Sequence, residues 1–205
     1  MPTARVSVFP LSGALLLPGM DLPLHIFEPR YRALIHDAMA RDRRIGMIQP
    51  RGGGGPVPPL FDMGCLGHVS QIEALEDGRF NIVLTGLARF RVVRELPVTT
   101  QFRQIEADVE QAPQEDEVLH AVERGTLEQE SRKFAEALGY VVDWTAVSRL
   151  DDMALVNGIA QIAPFDPAAK QTLLEADTLS ERCERIIQLM QIVGRIERDG
   201  GATMQ

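Results

Sequence analysis

Between His25 and Arg32 the chain places an imidazole, a carboxylate, two guanidinium groups and a phenol within eight positions, in the order His-Ile-Phe-Glu-Pro-Arg-Tyr-Arg. Groups of these types can exchange protons, hold an anion, or anchor a peptide through aromatic and arginine side chains. Local chemistry offers a plainer use for the same residues. Ile26, Phe27 and Tyr31 can pack into a core, and Pro29 can open a helix, because a first turn leaves its N–H groups unpaired anyway. Glu28 then favours the positive end of that helix and pairs with an arginine. The binding alternative sets His25, Glu28, Arg30 and Tyr31 on the rim of a peptide groove, with Phe27 and Tyr31 as its anchors. The two uses are compatible.

Other residues are candidates for chemistry on type alone. In Gly-Leu-Ala-Arg-Phe-Arg, Phe90 reads as core and Arg89 as the partner of an acid such as Glu28; the alternative makes Arg89 and Arg91 part of a binding face. Cys65 and His68 lie three apart on a predicted strand, which puts them on opposite faces, and no second ligand pair follows. Cys183 falls on an apolar helical stripe. His36 and His120 sit on helix surfaces with no arranged acid or nucleophile. The only lysines are Lys133 and Lys170, so no Gly-Lys-Ser/Thr phosphate loop exists. Ser131 and Lys133 are two apart on a helix and do not face each other. No catalytic site, metal site or cofactor is therefore expected.

Composition narrows the partners. A formal net charge of −8 and a pI near 5.0 oppose broad attraction to nucleic-acid phosphates or anionic lipid, and cationic or apolar partners fit better. With 45% hydrophobic and 24% charged residues, the chain has the balance of an ordinary folded protein. Two distant cysteines form no disulfide framework. Apolar runs are too short to cross a bilayer and the N-terminus lacks an extended apolar signal region, so a cytoplasmic location and no membrane partner are expected.

Alternation predicts strands over residues 4–9, in Arg-Ile-Gly-Met-Ile after the first helix, over 65–75, over 80–93, and near 101–110. Asp-Leu-Pro-Leu-His-Ile-Phe is extended because Pro23 restricts Leu22. Tyr31, Leu34, Ile35, Ala38 and Met39 recur at helical spacing after Pro29. Gly78 supplies a tight turn in Glu-Asp-Gly-Arg, and Gly86 marks a bulge or bend. The Arg-Gly-Gly-Gly-Gly-Pro loop from residue 51 forbids regular structure and reads as mobile. Beyond Gln-Ala-Pro-Gln-Glu-Asp-Glu-Val the strand signals stop. Helices are expected over 116–138, from a Ser148/Asp151 start to Pro164, from Asp166-Pro167 through Leu174, and from an Asp177 or Ser180 cap along Leu179, Cys183, Ile186, Met190 and Val193. The division is 1–112, β-rich with one helix, and 113–205, helical.

Phe-Pro-Leu, Pro-Gly, Ile-Phe-Glu-Pro-Arg-Tyr, Asp-Gly-Arg-Phe, Gly-x-x-Arg-Phe and the closing Gln-x-Leu-Leu-Glu helix occur here in the order found in the N-terminal domain of Lon proteases. The chain resembles that family over nearly its whole length. The resemblance implies an α+β fold, a PUA-like bent β-barrel followed by a C-terminal helical bundle, in a module that helps Lon recognise protein substrates and recurs in the ubiquitin-ligase substrate receptor cereblon. Lon's ATPase and protease motifs are not among these residues, so the expectation is a stand-alone, non-enzymatic domain that binds unfolded or degradation-prone polypeptides, as a substrate receptor or adaptor acting with Lon or another protease. A shallow cleft between the two halves is the expected seat, with His25, Phe27, Glu28, Arg30, Tyr31 and Arg89 as its peptide-binding residues. RNA binding, by analogy with other PUA domains, is the alternative.

Overall fold

Half-buried alternation makes strands of the N-terminal part, and the chain order is β1 (Thr3–Pro10), β2 (Asp21–Ile26), α1 (Pro29–Met39), β3 (Arg44–Ile48), β4 (Met63–Ala74), β5 (Phe80–Glu95) and β6 (Gln104–Val109). The structure, a computed structural model, describes residues 3–52, 57–111 and 117–201, with side chains up to 194. It divides into two compact units, Met1–Pro113 and Gln114–Gln205. Most of the glycine-rich loop, residues 53–56, lies outside the described residues.

In the first unit the sheet order is β2-β5-β4-β3-β1-β6, and a further β5–β6 pairing closes β5, β4, β3, β1 and β6 into a ring. The length of β5 makes closure possible. Its first half pairs with β2, its second half with β6, and β4 runs along both. β2 pairs with β5 alone, so Pro23 sits on an edge strand where its missing N–H breaks no ladder. Inside the ring Phe90 is fully buried among Val6, Val8, Ile48, Leu66, Ile105 and Ala107. Gly46 and Gly64, on β3 and β4, leave room for that ring, since a methyl on either would meet Phe90 carbons at 3.0 and 2.4 Å.

The bend in β5 has a local cause. Its register against β4 slips between Leu66/Ala88 and Gly67/Gly86, leaving Leu87 as the extra residue of a bulge. There the apolar segment Leu15-Leu16-Leu17 is buried. Gly19 N–H donates to Gly86 O at 3.0 Å, and Gly86 N–H donates to Met20 O at 2.9 Å. At the other end of β5, Gly78 takes a positive φ of 79° in the turn from β4. On α1, Tyr31, Leu34, Ile35 and Ala38 are buried and His36 is exposed, as the spacing predicts.

The second unit is helical: α2 (Ala121–Ala137), α3 (Trp144–Val147), α4 (Asp152–Ile162), α5 (Pro167–Leu174) and α6 (Leu179–Gly201). Leu179, Cys183, Ile186 and Met190 are buried on one stripe of α6, while Val193 is half-buried. Arg124 joins α2 to α4 by donating to Asp152 at 2.6 Å and to Leu150 O at 2.8 Å, while also pairing with Glu128 at 3.0 Å. Several starts differ from the sequence expectation. Helix α2 begins at Ala121, where the His120 N–H donates to Glu123, so residues 117–120 precede it, and the expected start at 116 lies outside the described residues. The four-residue α3 was not expected, because one turn has no periodicity to read. Ser148 closes that turn, and Asp151 alone caps α4 by accepting from Ala154 N–H at 2.7 Å. At the start of α6, Thr178 accepts from Glu181 N–H at 3.1 Å, while Ser180 already lies inside the helix.

Candidate polypeptide-binding surfaces

The segment 25–31 alternates buried and exposed side chains across a strand end and a helix start. Ile26 points into the core, while Phe27, predicted to pack there in the plainer reading, is 59% exposed. It lies beside His25, with ring centroids 6.2 Å apart. His25 is fixed by Asn81 Oδ1 at 2.8 Å on one ring nitrogen and Arg79 at 3.2 Å on the other. Glu28 precedes α1 and pairs with Arg30 at 2.8 Å, and the Arg30 guanidinium lies 4.5 Å from the Tyr31 ring centroid. Tyr31 is 6% exposed, packs against Phe9 at 4.0 Å, and donates its hydroxyl to Pro10 O at 3.1 Å. Burial raises its pKa from the ordinary phenol value. His25, Phe27, Glu28 and Arg30 thus form one surface knot, with Tyr31 beneath it as support. Alongside, a shallow depression of about 480 Å³ runs over Pro23, His25, Ile72, Glu73 and Val83.

Arg89 is elsewhere. It pairs with Glu110 across β6 at 2.7 Å, not with Glu28, because eight residues of β5, roughly 26 Å of strand, separate it from the partner of His25.

Tyr31 and Phe27 therefore differ in what their removal costs. Tyr31→Ala empties a packed site and is expected to destabilise the first unit by about 3 kcal/mol, the response of a core side chain and not of an anchor on a groove rim. Phe27→Ala is expected to shift stability by less than about 0.5 kcal/mol. Urea unfolding of the two variants side by side checks this; equal losses would place Phe27 in the core.

Candidate nucleophiles and bases are tied up. Ser131 is buried and donates to Leu127 O at 2.7 Å, while Lys133 pairs with Glu130 at 2.6 Å, so the two do not meet. Cys183 is buried and its thiol is pushed up to about 11 by burial. Lys170, also buried, donates to Gln161 O at 2.7 Å, and burial pulls its pKa below the ordinary value. Among the described residues no group of three His, Cys, Asp or Glu could hold a metal ion, and no helix is long and apolar enough to cross a membrane.

The helical unit carries a second surface. Between α2, α3 and α4 an apolar groove of about 230 Å³ is lined by Phe134, Tyr140, Trp144, Leu155, Ile159 and Ile162, with Met190 of α6 at its floor. Its cause is local. α3 spans four residues and cannot cover the faces of α2 and α4, and small residues, Ala135, Ala154 and Gly158, line the gap. A methyl on Gly158 would meet nothing within 4 Å. Ile162 is 82% exposed and Tyr140 54%. Arg132 lies 4.4 Å over the Trp144 ring and holds it at the mouth. Sequence reasoning left open which helical stripe stays uncovered, because periodicity reports an apolar face and not its cover.

Charge is divided unequally. Residues 1–113 hold twelve arginines against twelve carboxylates, whereas residues 114–205 hold nine basic side chains against seventeen acidic ones, so the whole formal charge of −8 falls on the unit with the groove.

Residues 5–191 match the family described as the ATP-dependent protease La (LON) substrate-binding domain. Among curated proteins, the chain is 27% identical over 191 residues to "Lon protease 2" of Desulfotalea psychrophila, covering 89% of this chain and 24% of that protein. It is 25% identical over 199 residues to "Lon protease" of Escherichia coli K12, covering 91% of this chain and 24% of the relative. The chain thus spans about a quarter of the length of these relatives. Among solved structures, a Lon N-terminal domain protein from Xanthomonas campestris superposes with a TM-score of 0.66 at 23% identity, covering 90% of this chain and 98% of that one. The N-terminal domain of a Mycobacterium avium complex Lon protease gives 0.64 at 19% identity, covering 92% and 98%.

Proposed function

The chain belongs to the Lon substrate-binding domain family, and on that premise we propose that it holds polypeptide segments for proteolysis without cleaving them itself, as a receptor or adaptor in the cytoplasm. One observation carries this reading: an apolar groove, open to solvent and bordered by Trp144, Tyr140 and Ile162, on the unit that bears all the net negative charge. Apolar lining supports an apolar segment, and aromatic side chains at a groove mouth are common anchors. The net negative charge of this unit favours a segment flanked by lysine or arginine, mainly through faster encounter and rejection of acidic rivals. The exposed knot of His25, Phe27, Glu28 and Arg30 serves as a second, weaker contact on the first unit, with Tyr31 holding its base and Arg89 bracing β5 against β6.

Trp144 is the only tryptophan and lies on the groove, so its fluorescence reports occupancy directly. Titration with a blocked peptide of leucine and phenylalanine flanked by lysines is expected to shift the emission and saturate. The same core flanked by glutamates is expected to bind about tenfold more weakly at low salt, with the gap narrowing as salt rises. No response to either peptide, beside salt-sensitive binding of an RNA oligonucleotide, would overturn the reading in favour of nucleic acid.

A further inference from the structure

Strand β1 is paired along only part of one flank. Toward β6 it pairs from Thr3 to Ser7, but toward β3 it pairs only from Val8 to Pro10. Val8 N–H donates to Arg103 O, so Ala4, Val6 and Val8 turn their backbone groups to β6, and Thr3 and Arg5 turn theirs the opposite way. The chain that could have filled this flank is diverted: Arg43 takes a positive φ of 59°, and Arg44 N–H donates to the Asp42 carboxylate at 3.2 Å in place of a β1 carbonyl. A depression of about 660 Å³ lies here, lined by the four successive residues Ala4, Arg5, Val6 and Ser7 of β1, by Asp37, Arg41 and Arg44 around the start of β3, and by Gln104 and Val109 at the two ends of β6. Four successive residues on one wall are a strand presenting its edge, since a face would expose only alternate positions. Leu66 supplies an apolar floor.

The charges around this slot are matched except at one point. Arg41 pairs with Asp37 at 3.1 Å and Arg44 with Asp42 at 3.9 Å. Arg5 donates to the neutral side-chain oxygen of Gln104 and, among the described residues, meets no carboxylate.

We propose that this flank takes one extended polypeptide segment by strand addition to β1, with an acidic side chain set against Arg5. An open strand edge presents unpaired N–H and C=O groups that another strand satisfies through its backbone, while alternate side chains set preference. Thr3 to Ser7 offers room for about five residues, near 16 Å of strand. The proposal rests on the reading that this protein holds polypeptides, but it uses the first unit and another binding mode, so it and the helical groove can fail separately.

The probe is a blocked heptapeptide of alternating threonine and valine with a central glutamate, added to the isotope-labelled full chain. Hydrogen exchange of the Arg5 amide is expected to slow on saturation while Trp144 emission stays unchanged. A peptide N-methylated at the residue facing Arg5 is expected to bind about tenfold more weakly, because it lacks one ladder donor, and this comparison leaves the protein unaltered. Glutamine for the central glutamate is expected to cost a few-fold in the native chain and nothing in Arg5→Gln. Unchanged Arg5 exchange at saturation, equal binding of the methylated peptide, or an Arg5 amide already protected in a dimer of this chain would each overturn the proposal.

Discussion

Alanine in place of Gly86 is expected to lower the stability of the first unit by about 3 kcal/mol, at the upper end of what a single added methyl costs in a packed site. A methyl there would lie 2.1 Å from Leu17 O and 2.8 Å from Leu17 C, and both are backbone atoms that cannot rotate aside. Relief requires lifting the Leu15-Leu16-Leu17 segment off β5. That lift would break the two backbone hydrogen bonds between Gly86 and the Gly19-Met20 turn and would expose three buried leucines. Hydrogen exchange across β4 and β5 measures the loss, with Gly158→Ala as the control: the new methyl there meets nothing, and the helix gains about 0.5–1 kcal/mol from better propensity. Stability of Gly86→Ala within about 0.5 kcal/mol of the native chain would show that the apolar segment does not bear on β5.

That contrast also marks what is legible in a sequence. Elements whose cause is local could be read: Asp166 before Pro167 caps α5, accepting from Ala169 N–H at 2.8 Å, and Gly78 turns β4 into β5. The place of Gly86 was readable as a bend, but its reason was not, because Leu17 is remote in sequence and meets it only in the fold. The partner of Arg89 is Glu110 and not Glu28 for the same reason. Its acid had to come from a neighbouring strand, and pairing Glu110 with it requires the β5–β6 register, which the alternation of each strand does not specify. Phe27 shows a different limit. Its neighbour Ile26 is buried and it is not, an alternation written in the strand; yet an isolated aromatic reads as core by type. The groove was the least visible feature. It is made by what α3 fails to cover, and a four-residue helix leaves no periodic trace.

Ile162→Lys is expected to reduce binding of the lysine-flanked peptide by at least about thirtyfold, roughly 2 kcal/mol, while leaving the melting temperature of the helical unit within a few degrees of the native value. Ile162 ends α4 with 82% of its surface exposed, so the fold gains little from its side chain and the peptide stands to gain most. Two effects combine in the lysine variant: an apolar contact is lost, and a positive charge is set against a positive partner. Ile162→Glu separates them, since it loses the same contact and adds an attractive charge; its affinity should fall less than that of Ile162→Lys, by a margin that shrinks with salt. Equal losses in both would mean that charge plays no part at the groove. A third variant blocks the site from within. Gly158→Leu fills the open space between α2 and α4, and because leucine also favours the helix more than glycine, weaker binding there would come with stability held or raised. Lost binding with a stable fold is what a groove predicts and a damaged core does not. Native affinity in all three variants would remove the helical unit from polypeptide recognition, and leave that role to the first unit, where the His25, Phe27 and Arg30 knot and the open flank of β1 are the surfaces that remain.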